Sequence, residues 1–148
     1  MIIKNITKQI GEAMKAHAEI RLSTLRLLSS ALNYEFIAKQ HPLSEEEELA
    51  VVKKEAKKRR DAIEAYEKAG AEDRAEKEKK ELEILKEFLP AEMSQDEIEK
   101  LVKEAIKKTG AAELKDIGKV IGLVVGQAQG RADGSVVASL VKKQLALA

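Results

Sequence analysis

Apolar residues recur every three to four positions along nearly the whole chain, a period that suits an α-helix and no other regular structure. The first such run is Ile3, Ile6, Ile10, Ala13 and Met14. Aromatic residues make up 3% of the 148 residues, so any core must be built from aliphatic side chains on long amphipathic helices. The sequence therefore predicts an all-α fold of helical hairpins or an up-and-down bundle, followed by a small three-helix carboxy-terminal unit.

Local start and stop signals divide this pattern into seven helices. Ser44 with Glu47, and Ser94 with Glu97, have the spacing of a capping box, and Pro90 ends the helix before it. We expect an amino-terminal four-helix domain over residues 1–90 and a three-helix domain over residues 94–148. The expected helices are about 3–17, 19–38, 45–69, 72–88, 95–109, 114–128 and 134–147.

The second of these helices is apolar over most of its circumference. Its run is Ile20, Leu22, Thr24, Leu25, Leu27, Leu28, Ala31, Leu32 and Phe36. Such a helix is usually surrounded by others, so we expect it to be the centre of the first domain.

Composition excludes several classes of protein. The chain has no cysteine, which removes disulfides and thiolate metal sites. It contains neither a basic leader with an apolar run nor about 18 consecutive apolar residues, so secretion and membrane insertion are not expected, and we expect a cytoplasmic protein. Residues 94–148 hold nine basic and seven acidic side chains, so a nucleic acid would have to be bound by a local patch.

No catalytic constellation is visible in the sequence. His17 and His41 are the only histidines, and neither has a partner at metal-ligand or triad spacing. The glutamate run at residues 45–48 is typical of a solvated helix start, where the helix dipole favours acids, rather than of a metal site. We therefore predict no catalytic residue, no metal site and no cofactor.

Three glycines mark an unusual face on the sixth helix. Gly118, Gly122 and Gly126 stand four residues apart and leave one side of the helix without side chains, at about 1 kcal/mol each relative to alanine. Either a neighbouring helix crosses closely there, or a backbone from outside the protein, such as a nucleic-acid phosphate chain, lies along the face.

A second anomaly is the pair of charges on facing stripes of the third and fourth helices. Arg59 occupies a position that should be apolar, and Glu78 and Glu81 lie roughly opposite it in an antiparallel hairpin. A partly buried ion pair that fixes the register is one interpretation, and a catalytic arginine with glutamate is another. Lys53, Lys57 and Arg60 fall on the outward face as a phosphate patch or a merely solvated surface.

Six segments together resemble the YqeY family over essentially the whole chain. They are RLSTLRLL (21–28), KRRD (58–61), YEKAG (66–70), FLP (88–90), DIGKVIG (116–122) and GRADG (130–134). That family is similar to the tail domain of the B subunit of the tRNA-dependent amidotransferase, and a comparable domain is appended to some glutaminyl-tRNA synthetases. The tail is thought to touch the outer corner of tRNA, away from the chemistry.

The resemblance implies an RNA contact in the carboxy-terminal unit, and it does not transfer an amidotransferase activity, whose active sites lie in other domains. Residues 124–129 lack the lysines expected in that stretch of relatives. The expected RNA-binding residues are Lys115, Gly118, Lys119, Gly122, Gly126 and Arg131, while Asp133 or Ser135 should cap the last helix.

Three functions remain open from the sequence. The chain can be a non-catalytic tRNA-binding accessory protein that assists aminoacylation or amidation, with tRNA and an aminoacyl-tRNA synthetase or amidotransferase as partners. It can instead be a helical adaptor that docks a protein. The third alternative is an accessory part of a carbon-nitrogen ligase with glutamine as amido-N-donor.

Overall fold

The computed structural model describes residues 1–146, which form seven α-helices and no strand. The all-α prediction is therefore confirmed. The helices are α1 (Ile2–Lys15), α2 (Glu19–Lys39), α3 (Glu45–Lys68), α4 (Glu72–Lys86), α5 (Gln95–Thr109), α6 (Ile117–Ala128) and α7 (Gly134–Ala146). The expected end of the last helix at Leu147 lies outside the described residues. The chain divides into two compact units, one from Met1 to Leu89 and one from Pro90 onward. That each unit folds alone stays a prediction.

The amino-terminal unit is a long α3–α4 hairpin packed with α1 and α2. Its core is aliphatic and is filled largely from α2, whose Leu25, Leu28 and Leu32 are fully buried beside Val52 of α3 and Leu85 of α4. Burial of each such side chain contributes about 1.5–3 kcal/mol. Helix α2 contacts the other three helices and is the centre of the unit, as the sequence predicts.

One face of α2 nevertheless remains uncovered. Leu27, Tyr34 and Ile37 are 50%, 75% and 67% exposed. The expectation that other helices surround α2 is thus wrong over this face, because three neighbours cover only part of the circumference of a helix.

Both predicted capping boxes are confirmed. The Ser44 hydroxyl accepts from the Glu47 N–H at 3.2 Å, and the Ser44 N–H donates to the Glu47 carboxylate at 2.9 Å. The same reciprocal pair joins Ser94 and Glu97 at 3.2 and 2.7 Å. These bonds satisfy amide groups that a helix start otherwise leaves unpaired, so they fix where α3 and α5 begin.

Helix α4 ends two residues earlier than expected. The N–H groups of residues 87–89 bond three residues back, to the carbonyls of residues 84–86 at 3.1–3.2 Å, so the chain tightens into a turn ahead of Pro90. A proline disfavours helical geometry at the residue before it, which accounts for the early end.

Helix α6 also differs from the expected 114–128. A 3₁₀ turn, Leu114–Asp116, precedes the α-helix, and the Asp116 carboxylate accepts from the N–H groups of Ala112 and Glu113 at 3.3 and 3.4 Å. At its other end the left-handed conformation is taken first by Gln129, with φ 50°, and then by Gly130, with φ 80°.

The carboxy-terminal unit packs α5, α6 and α7 against one another around a small valine core. Val102, Val120, Val124, Val137 and Val141 are completely buried. None of the helices within residues 1–146 combines the length and hydropathy that a membrane crossing requires.

Candidate functional site

The glycine face of α6, formed by Gly118, Gly122 and Gly126, is open. A Cβ atom added at any of the three would meet no atom of its surroundings within 4 Å, and none of the three has a positive φ. Val120 and Val124 are buried on the opposite side of the helix. The expectation of a close helix crossing is therefore wrong among the described residues, because the glycines point away from α5 and α7.

Because this face is open, the three glycines lower the stability of the fold. Each exposed glycine inside a helix lowers stability by about 0.8–1.0 kcal/mol relative to alanine, and none of these three supplies a turn or makes room for a neighbour. Packing among the described residues thus gives no reason for glycine at these positions.

Lys119 is the cation that flanks the glycine face. It is exposed, stands one residue after Gly118, and forms no ion pair with any residue of the described chain. Successive residues of an α-helix are about 100° apart, so Lys119 borders the glycine face on one side. Lys115, in the preceding 3₁₀ turn, is also exposed, but its ammonium lies 3.1 Å from the Glu113 carboxylate.

Arg131, the other predicted phosphate ligand, has a structural role that the sequence did not reveal. Its Nε donates to the Ala91 carbonyl at 2.9 Å, and the Met93 N–H donates to the Arg131 carbonyl at 2.7 Å. These two bonds attach the segment before α5 to the loop between α6 and α7. Arg131 is also half-buried, so it is less available to a ligand than Lys119 is.

Arg131 also acts on the capping carboxylate of α5. Hydrogen bonds from Ser94, chiefly from its backbone N–H, together with the nearby Arg131 charge, hold the pKa of Glu97 below its usual value. The carboxylate of Glu97 therefore stays ionised in the folded protein at neutral pH.

Lys119 and Arg131 lie at opposite ends of α6. The nine residue steps from Lys119 to Ala128 correspond to a rise of about 13–14 Å. The two side chains therefore bracket the glycine face, and they are placed to meet different phosphate groups rather than the same one.

Asp133 caps α7. Its carboxylate accepts from the Ser135 N–H at 2.8 Å and from the Ser135 hydroxyl at 2.7 Å. The side chain is thus engaged with the helix start, as the sequence predicts, rather than presented to a ligand.

Arg59 lies between the two acids of α4. Its Nη1 is 3.2 Å from the Glu78 carboxylate and its Nε is 3.3 Å from that of Glu81, and the three side chains are 18%, 15% and 6% exposed. The Nε and the Glu81 oxygen are poorly aligned and form no hydrogen bond. The arrangement is that of a largely buried ion triad across the α3–α4 hairpin, with the arginine charge shared by two carboxylates.

The cations on the outward face of α3 differ in their exposure. Lys53 and Lys57 are exposed, whereas Arg60 is half-buried.

Among residues 1–146, no group of three or more histidine or acidic side chains could hold a metal ion.

Glu48 is a buried group that the sequence analysis missed. It is 1% exposed, and its carboxylate accepts from the N–H groups of Ile2 at 2.6 Å and Ile3 at 3.2 Å. The expectation of a solvated acidic run is wrong for this residue, because the run turns its fourth side chain inward. Its position four residues before the buried Val52 was the available signal, since residues four apart share a helix face.

Comparison with known proteins identifies the family of this chain. A family model described as Yqey-like protein matches residues 3–145. The uncharacterized protein C22F3.15 of Schizosaccharomyces pombe is 35% identical over 89 residues, which cover 60% of this chain and 72% of that protein. Altered inheritance of mitochondria protein 41, mitochondrial, of Vanderwaltozyma polyspora is 30% identical over 122 residues, which cover 78% of this chain and 66% of that protein. The chain spans about two thirds of the length of these relatives and belongs to the YqeY family.

Proposed function

We propose that this chain is a non-catalytic RNA-binding accessory protein, and that the glycine face of α6 receives the phosphate backbone of tRNA at its outer corner. The observation that carries the proposal is the open glycine face with Lys119 at its edge. Without side chains, the helix lets another backbone approach closely, and the adjacent ammonium supplies the charge that a phosphate requires.

The residues have different parts in this proposal. Lys119 contacts a phosphate directly, and Lys115 contributes once its surface ion pair with Glu113 opens, which costs little because both groups are exposed. Arg131 holds the loop beside the face and adds positive charge to it. The chain performs no chemical step itself, and an aminoacyl-tRNA synthetase or amidotransferase acts on the bound tRNA.

Binding should depend modestly on salt and more on the shape of the RNA than on its sequence. Each duplex phosphate that is neutralised contributes about −0.9 to the slope of log K against log salt, and only two or three cations are available here. Aromatic residues are scarce, which disfavours stacking on unpaired bases. We place this activity in the cytoplasm; the word mitochondrial in the name of one relative describes that relative.

The test is a titration of fluorescently labelled tRNA, and of an RNA hairpin of equal charge, against the full chain at two salt concentrations. Wild type should bind tRNA more tightly than the hairpin, and Lys119→Ala should weaken tRNA binding and reduce the salt slope by about one unit. Lys8→Ala is the control, because Lys8 is an exposed lysine of α1, in the other unit of the chain.

Arg131→Ala needs a folding control, since it removes the bond to the Ala91 carbonyl. Equal affinity for both RNAs, or an unchanged affinity in Lys119→Ala, would show that the proposed site is wrong.

A further inference from the structure

The middle of α3 carries a run of cations that the proposal for α6 does not use. Residues 49–60 hold six basic side chains and one acidic side chain, a density typical of segments that contact nucleic acid. Whether such a run attracts an anion depends on how many of its charges are already paired inside the protein.

Three of the six cations are engaged within the unit. Arg59 is held between two carboxylates of α4. Lys58 pairs at 2.7 Å with Glu55, which is the one acid of this stretch. Arg60 is half-buried and also has a partner. These side chains contribute to the fold, and they leave the other three cations of the run to solvent.

The remaining cations are Lys53, Lys54 and Lys57, which we call the α3 cluster. All three are exposed, and none forms an ion pair with any residue within 1–146. Lys53 and Lys57 are one turn apart on the same side of α3, about 6 Å along its axis. Lys54 also lines the groove toward α2, where Glu35 is an acid on the opposite wall.

The acids of α3 do not cancel the charge of the cluster. Glu48 is 1% exposed and bonded to the start of α1, and Glu47 is bonded in the capping box. The two exposed glutamates at the helix start lie about two turns before Lys53, beyond the Debye length of ~8 Å at physiological salt. The exposed Asp61 follows Lys57 by one turn and offsets one charge of the three. The outward surface is therefore positive although the helix as a whole is rich in acids.

The surface around the cluster lacks apolar anchors. Between residues 45 and 61, Ala50 is the only exposed apolar residue of α3. A protein partner binds chiefly through buried apolar and aromatic side chains, whereas a phosphate backbone is bound by cations without them.

We propose that the α3 cluster binds the phosphate backbone of a helical RNA segment, irrespective of its base sequence. This inference rests on the proposed RNA-binding function and adds to it a contact on the other unit of the chain. Lys53 and Lys57 are the principal ligands, because they share one side of α3 and stand away from Glu35.

The experiment titrates labelled tRNA and the RNA hairpin of equal charge against the full chain at several salt concentrations. Lys53→Ala combined with Lys57→Ala should weaken the binding of both RNAs by roughly tenfold near about 0.1 M salt. It should also reduce the magnitude of the salt slope by about 1.8, since each contact contributes about 0.9. The slope that remains is the modest one expected for the glycine face of α6. The circular dichroism spectrum should not change, because both side chains are exposed.

The matched control is Lys4→Ala combined with Lys8→Ala. These two exposed lysines of α1 belong to the same unit and have the same one-turn spacing, but Lys8 has the Glu12 carboxylate at 3.9 Å. The control removes the same charge and should change the affinity for either RNA little.

The ratio of the two affinities separates this inference from the site on α6. Lys119→Ala should lower the preference for tRNA over the hairpin, whereas the α3 variant should weaken both RNAs alike and keep their ratio. Unchanged affinities in the α3 variant, or an equal loss in the α1 control, would overturn the α3 cluster whatever α6 does. If wild type binds both RNAs equally and the α3 variant weakens both, the site on α6 is wrong and the α3 cluster is supported. A polyglutamate peptide that binds as tightly as the hairpin, and loses affinity in the α3 variant, would overturn the RNA assignment in favour of an acidic protein.

Discussion

Replacing Gly118, Gly122 and Gly126 together by alanine should make the protein more stable. All three lie inside α6 without a positive φ, and an added methyl group meets nothing within 4 Å. Alanine exceeds glycine by about 0.8–1.0 kcal/mol in a helix interior. Gly122 in the middle of α6 should gain the full amount, while the other two lie near the helix ends and should gain less. We expect about 2 kcal/mol in total, with some loss of additivity because the sites are one turn apart.

The assay is thermal and urea unfolding of the full chain, followed by circular dichroism. A gain of 1 kcal/mol raises the melting temperature of a small domain by about 4–8 °C, so the triple variant should melt about 10 °C higher in the transition of the carboxy-terminal unit. Gly110→Ala is the matched control. Gly110 has φ 67°, where a side chain is strained, and its replacement should destabilise by about 1 kcal/mol.

The same triple variant should bind tRNA more weakly, because three methyl groups would hold the phosphate backbone away from the helix. Stability that rises while affinity falls is the combination that the open face predicts. A destabilised variant would show that the glycines pack against something, and would refute the structural reasoning. A stabilised variant with unchanged tRNA affinity would retain the fold and refute the role of the face.

Three further results are expected. Arg59→Ala should lower the free energy of unfolding in urea by about 3–5 kcal/mol, because it leaves buried carboxylates without a counter-charge. Arg60→Ala should lower it by less. Equally small losses in the two variants would contradict the buried ion triad. Limited proteolysis followed by mass spectrometry should cut first at residues 89–94, and early cleavage confined to α2 would argue against two separable units. Because the folded pKa of Glu97 is lowered, its stabilising contribution is present above the ordinary value of 4.5 and is lost as the pH falls through the lower folded value. In Ser94→Ala the free energy of unfolding should depend less on pH below about 4.5 than it does in wild type. An equal dependence on pH in the two proteins would reject the contribution of this cap.

The ends of the helices could be read from the sequence because they are decided locally. A serine hydroxyl reaches an amide three residues away, and Ser44 and Ser94 do so in the structure as their spacing predicts. Pro90 and Gly110 likewise act within a turn of their own positions. The small errors, in α4 and at the start of α6, come from tightened turns that also depend on a few neighbouring residues.

The pairing of Arg59 with the acids of α4 could be anticipated for a similar reason. The α3–α4 hairpin turns at Gly70, so counting from the turn places residue 59 opposite residues 78 to 81. Hairpin register is a nearly local property. The apolar stripes on which these charges fall indicated partial burial, and the structure shows its extent, with the Glu81 side chain only 6% exposed.

The covering of each helix face was decided by the tertiary structure alone. A periodic pattern shows that a face is apolar or free of side chains, but not whether another helix packs on it. The fully buried Leu28 and the half-exposed Leu27 are adjacent on α2 and identical in chemistry.

The glycine face and Glu48 illustrate the same limit. The spacing of Gly118, Gly122 and Gly126 predicted a close approach but not that the face would be left open. Glu48, in an acidic run typical of solvent, is buried because the start of α1 lies over it and supplies two N–H donors. Sequence determined the elements and their ends, since those depend on bonds between residues a few positions apart. Burial depends on contacts between residues far apart in the chain, so only the assembled structure showed which surfaces are free to bind a partner.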